Sequence, residues 1–378
     1  MTKVQQLLLA LLAATVDQKI DRCKPLLPVD ESTWTSLLDL AAKHGVTGLV
    51  FSAVERLPKA VLPPMDQLME LLGQVEYQKT HYQSQFETAQ KFAKALKANG
   101  VEMNVLKEIS FSTYYDQPAL RECGDCDCYL SVVKKVKEDR EGKEKAGSTG
   151  FEIGNSTIEE IGGRGEFGSY KLSHLYLDSL MFENHHYVTD FNGTKQGKVI
   201  ELLLEKAIDS ASGTPIGKSD MVRPCTFFNA LHLIRHAQGN FLLEGMTLRM
   251  IYDWAVLLRA EQNNLEWKQL YADFETCGLR LFVDIMTSIC VEYLGVKLTC
   301  KDITLCRNKA LVEEVLADTM ADTIHMEQNE SVGHKVLRIL SRYKRIWHYR
   351  ALAIESVPMM MWNSLAYSSY MKRDITLD

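Results

Sequence analysis

The chain has 378 residues, 46% hydrophobic and 24% charged, with a formal net charge of −6. That length supports a large core and two or three domains, and the acidic balance excludes a broad nucleic-acid surface, which needs clustered Lys and Arg. No apolar run approaches the roughly 20 residues needed to span a bilayer, and the odd count of nine cysteines suits reduced thiols in a cytoplasm.

Leu7 to Ala14 (LLLALLAA) has the length of a secretory apolar segment. Only Lys3 supplies positive charge and no A-x-A site follows, so an amphipathic first helix is expected. Trp34 to Val54 and Met65 to Asn99 carry apolar residues at three-to-four spacing, broken by Pro58, Pro63 and Pro64, with Gly100 closing the long helix as a C′ glycine. Residues 1–100 are therefore an N-terminal helical region. A mixed α/β unit is expected over 101–210 and a C-terminal helical domain over 211–378, with breaks at Gly239-Asn240 and Gly278 and a last helix from Val336 to Ala353.

Within the middle unit, Lys134 to Lys145 is charge-dense and Gly147 to Gly168 carries seven glycines. Together they read as a solvated helix followed by a mobile loop or irregular hairpin. Gly163, Gly165 and Gly168 satisfy G-x-G-x-x-G, but the strand-like run Tyr170 to Val188 follows where a dinucleotide site needs a helix. Gly193 to Lys198 falls one residue short of a phosphate loop and lacks its Ser/Thr. Lys195 and Lys198 remain as cations able to flank a phosphate. His232 and His236 stand at i, i+4 on one helix, a spacing read as packing. Cys123, Cys126 and Cys128 lack a second cysteine or histidine pair that would make a zinc site.

The densest chemistry lies in Gly124-Asp125-Cys126-Asp127. Cys126, Cys128 and Leu130 alternate with Asp125, Asp127 and Tyr129, the period of a β-strand. Asp125 and Asp127 then share a face, their stems about 6.6 Å apart at about 3.3 Å per residue. Two such carboxylates repel unless a cation lies between them, and Mg²⁺ or Mn²⁺ takes oxygen ligands of this kind. Removing one charge, as in Asp127→Asn, is expected to relieve that repulsion in the metal-free fold.

Leu106, Lys107, Tyr115, Pro118, Arg121, Gly124, Asp125 and Asp127 together resemble an uncharacterised nucleotidyltransferase family of the DNA polymerase β-like superfamily, whose pattern is L-K-G, a short helix, Y-P-x-P-x-x-R, then G-D-x-D. The likeness continues in Leu40 to Leu49, in Glu183-Asn184-His185, and in a helical phrase through Leu231, His232, His236, Arg249 and Asp253. It implies an α+β fold, a small mixed-sheet nucleotidyltransferase core flanked by N-terminal and C-terminal helical regions. It also implies an NTP substrate, ATP first among the candidates, with Mg²⁺ or Mn²⁺ as cofactor, and an acceptor that is a protein or a small molecule. Asp125, Asp127 and a third acid on the next strand would hold two metal ions and carry catalysis by a two-metal mechanism. Glu183 is preferred for that third position, because Asp178-Ser179 reads as a turn. Lys107, Ser110, Arg121, Lys195 and Lys198 would serve the nucleotide.

The sequence departs from the pattern at Glu108. Glycines there let backbone N–H groups approach phosphate, whereas Glu108 adds bulk and negative charge. A unit charge about 4 Å from a phosphate charge costs about 4 kcal/mol at an effective dielectric near 20. Two readings stay open at this point: a metal-dependent nucleotidyltransferase, or a non-catalytic nucleotide- or partner-binding module on the same fold.

Overall fold

The computed structural model describes residues 1–133, 149–167, 171–189, 194–211, 213–243, 245–321 and 332–359. The charge-dense run Lys134 to Lys145 lies outside them. The chain divides into two compact units, one formed by Met1–Tyr77 with the helices that follow Ala230, the other by Gln78–Asn229. The two flanking helical regions thus build one body. The second unit begins inside the long helix and extends past residue 210, because strands that belong to its sheet lie on both sides of that limit.

In the helical unit, α1 (Lys3–Asp17) starts at Thr2, whose side chain and that of Gln5 form a capping box. Every residue from Leu7 to Val16 is buried, so α1 is apolar all round and not amphipathic as expected. α2 (Glu31–Lys43) and α3 (Thr47–Val54) pack beside it, divided at Gly45, which has φ 63°. α9 (Leu248–Glu261) and α11 (Arg280–Glu292) complete the layer, with α10 (Trp267–Thr276) between them in sequence. Tyr252 donates its hydroxyl to Thr15 Oγ1 at 3.0 Å, which joins the N-terminal and C-terminal helices, and Trp254 Nε1 donates to Thr287 Oγ1 at 3.0 Å, which joins α9 to α11. α8 (Thr226–Leu243) runs unbroken through Gly239-Asn240, against the expected break; Gly278 does end α10, at φ 72°. α12 (Lys309–Thr319) and α13 (Val332–His348) follow. No helix of the described residues is long and apolar enough to cross a membrane.

The other unit is built on a mixed sheet of order β3-β4-β5-β2-β1-β7-β6. Its strands are β1 (Val101–Val105), β2 (Cys126–Val132), β3 (Arg164–Glu166), β4 (Leu172–Leu177), β5 (Leu180–His185), β6 (Thr214–Pro215) and β7 (Met221–Arg223). β1 and β2 are antiparallel, while β2 runs parallel to β5 and β1 parallel to β7. The long helix α4 (Met65–Ala98), closed by Gly100 at φ 74°, covers one face of the sheet. Phe92, Ala93 and Leu96 from α4 meet Met103, Cys126, Cys128, Leu130 and Phe182 in one apolar cluster. The Phe92 and Phe182 rings stand 5.0 Å apart, edge to face.

α6 (Gly150–Glu160) lies on the same face, so the glycine-rich stretch, read as a mobile loop or irregular hairpin, begins as a helix, and its later part pairs as β3 with β4 in a hairpin. Thr149 and Glu152 form its capping box. A Cβ at Gly150 would lie 1.9 Å from the Leu130 carbonyl oxygen, and one at Gly154 would lie 2.2 Å from Leu130 Cδ1. These glycines permit close approach of helix to strand. The opposite face of β2, β4 and β5 carries Asp127, His174, Glu183 and His185, by the alternation that sends Cys126, Cys128 and Phe182 into the core.

Candidate active site

Four elements bring the acids together. The parallel register of β2 and β5 sets Asp127 directly beside Glu183, and antiparallel β4 sets His174 on the other side of Glu183. Asp125 immediately precedes β2, and Glu108 caps the short helix α5 (Ile109–Ser112) that follows β1. Oxygens of Glu108, Asp125 and Asp127 lie within 4.8 Å of one another, and so do ligand atoms of Asp127, Glu183 and His185. Asp178 is elsewhere, in the turn between β4 and β5 at φ 51°, where it pairs with Lys91 at 2.8 Å.

Asp127 is fully buried and both its oxygens face nitrogen. Lys107 Nζ is 2.9 Å from Oδ2, and His185 Nε2 is 2.9 Å from Oδ1. Burial alone would raise the Asp127 pKa; the Lys107 ammonium and the His185 hydrogen bond outweigh it and hold the carboxyl well below the usual range. The same contacts act in reverse on the partners. Burial lowers the pKa of Lys107 and of His185, yet Asp127 raises both overall. The like-charge repulsion expected at Asp127 is therefore already answered by cations, and Asp127→Asn would strand them. Lys107, expected beside phosphate, is bound to this aspartate with its side chain only 18% exposed.

Asp125 has the opposite environment. Burial first, then the negative charges of Asp127 and Glu108, push its carboxyl up to about 6. Gln85 from α4 donates to the Gly124 carbonyl and holds the turn before it. A Cβ on Gly124 would meet nothing within 4 Å, so space lies open at the head of the strand.

Glu108 keeps a backbone suited to glycine, with φ 40° and ψ −107°, a conformation that costs a larger residue about 1–3 kcal/mol. Its carboxylate accepts from Arg121 Nη1 at 2.7 Å, and both side chains are buried. Arg121, expected at the nucleotide, is engaged by the acid that replaces the glycine. Ser110 is fully buried and its Oγ has no hydrogen-bond partner among the described residues. Lys195 and Lys198 stand in the first turn of α7 (Lys195–Ser210), Lys195 exposed and Lys198 half-buried. Also on α7, Glu201 is buried and accepts from the Val188 and Thr189 backbone, which fixes the chain just after His185.

Sequence reasoning left His185 out of the ligand set although its parity with Glu183 was visible, and it could not see His174, whose contact depends on strand pairing. The donors suit a divalent cation in two groups that share Asp127: Glu108 and Asp125 with it on one side offer oxygen alone, and Glu183 and His185 with it on the other add one imidazole. His232 and His236 stack on α8 at 6.2 Å between ring centroids. On the core face of β2, beneath the acids, Cys126 and Cys128 are fully buried free thiols with pKa values raised by burial.

A family model for an uncharacterised nucleotidyltransferase matches residues 30–295, well over half of the chain. The chain belongs to that family. No curated protein and no solved structure matches it.

Proposed function

We propose that the protein transfers a nucleoside monophosphate from an NTP, ATP first among the candidates, to the hydroxyl of a protein or small-molecule acceptor, in the cytoplasm. One observation carries the reading: the β2–β5 register sets Glu183 against Asp127, with Asp125 two residues earlier, just before β2. Membership of the family supports the same chemistry. Asp125, Asp127 and Glu183 would hold Mg²⁺ or Mn²⁺, which when bound supplies positive charge to an attacking hydroxyl and to the departing pyrophosphate.

The chain's own groups do the rest. Asp127 is kept ionised by Lys107 and His185 and is ready to ligate. Asp125, held near 6, must give up its proton before it can ligate fully. Lys107 lies within reach of the cluster as a fixed cation, and Arg121 becomes available to an anion only when it releases Glu108. Positioning and electrostatics of this kind supply most of the acceleration in phosphoryl-type transfers.

A second reading has an observation of its own. Lys107 and His185 already pair with Asp127, and Glu108 already pairs with Arg121, which favours a nucleotide- or partner-binding module without turnover. Incubation with each α-labelled NTP and Mg²⁺ or Mn²⁺ separates the two. Transfer predicts released pyrophosphate and labelled acceptor, lost in Glu183→Gln. NTP binding without pyrophosphate, in the presence of cell extract as acceptor source, establishes the second reading and overturns the first.

A further inference from the structure

The chain after β5 fixes the tautomer of His185. Nδ1 lies 3.0 Å from the Tyr187 carbonyl oxygen. A carbonyl only accepts, so Nδ1 carries the hydrogen. Asp127 Oδ1 at 2.9 Å and Glu183 Oε2 at 3.5 Å face Nε2, so in the metal-free chain Nε2 also carries a hydrogen, and an ion bound there takes the place of that proton. With that proton displaced, three ligand atoms, of His185, Asp127 and Glu183, lie within 4.8 Å of one another in a site where His185 is 5% exposed and Asp127 is 0% exposed. A backbone carbonyl on the far nitrogen is the arrangement that orients a histidine towards a metal. Lys107 takes the other Asp127 oxygen, Oδ2, and so leaves Oδ1 on the His185 side.

We propose that His185 Nε2, Asp127 Oδ1 and Glu183 form a mixed nitrogen–oxygen position for one divalent ion, which takes Mn²⁺ or a later first-row metal in preference to Mg²⁺. The neighbouring group of Glu108, Asp125 and Asp127 offers oxygen alone and is the position that suits Mg²⁺. Imidazole favours the later divalent metals, whereas Mg²⁺ is served by carboxylates and water. The inference rests on the metal-dependent reading above and names the ligand that sets metal choice.

The test is pulsed electron paramagnetic resonance of the full chain loaded with Mn²⁺. Directly coordinated ¹⁴N modulation is expected. It should change to the ¹⁵N pattern when the protein is grown with ¹⁵N-histidine, and it should persist in His174→Gln, because His174 approaches Glu183 from the neighbouring strand at 3.7 Å. His185→Gln should abolish the modulation and weaken Mn²⁺ binding about 10–100-fold, with a much smaller effect on Mg²⁺. Bound Mn²⁺ without nitrogen coupling overturns the proposal, as does coupling that survives in His185→Gln. The isotope experiment decides the matter in the wild-type chain even if that variant fails to fold. Pyrophosphate release by a protein whose Mn²⁺ has only oxygen ligands sinks the His185 position and spares the transferase reading; nitrogen-coupled Mn²⁺ without pyrophosphate release from any NTP does the reverse.

Discussion

Helix α1 buries Leu7 through Val16 without one charged group, whereas the sheet face at β2 and β5 buries Asp127 and His185 side by side with Lys107 on the same carboxylate. Apolar burial stabilises at about 25 cal/mol per Å², so α1 and the Trp254 layer hold their unit together by area. Burying charge costs several kcal/mol per ion before pairing offsets it. The acid face is therefore held in shape by charge balance, and it is the part of the fold whose arrangement serves chemistry at the expense of stability.

The comparison breaks most visibly under two substitutions of similar cost and opposite consequence. Asp127→Asn removes the buried carboxylate that Lys107 and His185 share and should destabilise the metal-free protein by about 3–5 kcal/mol. Mn²⁺ binding should fall with it. Trp254→Ala opens a cavity in the helical unit and should cost about 3–5 kcal/mol, with Mn²⁺ affinity unchanged. Urea melts and calorimetric Mn²⁺ titrations of both variants check this; an unchanged melt for Asp127→Asn would mean the two cations find other partners.

Asp125→Asn should act in the opposite sense. A carboxyl moved from 3.8 to about 6 binds its proton more tightly in the folded chain than in the unfolded one. Stability then falls as pH climbs through that window, and the deficit persists at neutral pH. In EDTA near pH 7 the variant should be more stable than wild type by about 1–3 kcal/mol, the gain vanishing below about pH 4. Melts at the two pH values that show no difference in gain would place Asp125 in water.

Glycine substitutions beside β2 sharpen the comparison within one unit. Gly150→Ala drives a Cβ into the Leu130 carbonyl and should cost about 1–3 kcal/mol. Gly124→Ala meets open space and should leave the melt where it was. The smallest effect is expected at Asp178. Its pair with Lys91 is half exposed and its φ of 51° tolerates asparagine. Asp178→Asn should retain both the melting midpoint and any transferase activity, and a loss of activity would mean that the acid across from Asp127 is not the one that matters.

The β2 alternation, the long helix closed by Gly100 and the break at Gly278 were legible because each rests on neighbouring residues. The contact between Asp127 and Glu183 was legible only as a family likeness, since a parallel pairing across more than fifty residues leaves no periodic trace. Arg121 and Glu108 were each noticed, but not as partners. Both sit outside strands, where side-chain direction does not follow from parity. Gly150 and Gly154 misled because glycine marks mobility and close approach alike, and only the neighbouring Leu130 tells the two apart. Leu7 to Val16 misled for a related reason: an all-apolar helix says that it is buried only once its neighbours are known.

Cys126 and Cys128 flank Asp127 in sequence and turn the other way, into the apolar cluster beneath it. With no exposure and with their thiols held protonated, a soluble alkylating reagent can modify them only after β2 has parted from its cover. Their labelling rate is thus a built-in clock for the opening of the strand that carries the acids. Metal or nucleotide that grips Asp127 from above should slow that clock, so that occupancy of the site can be read from the far side of the sheet without a substrate or an assay for turnover.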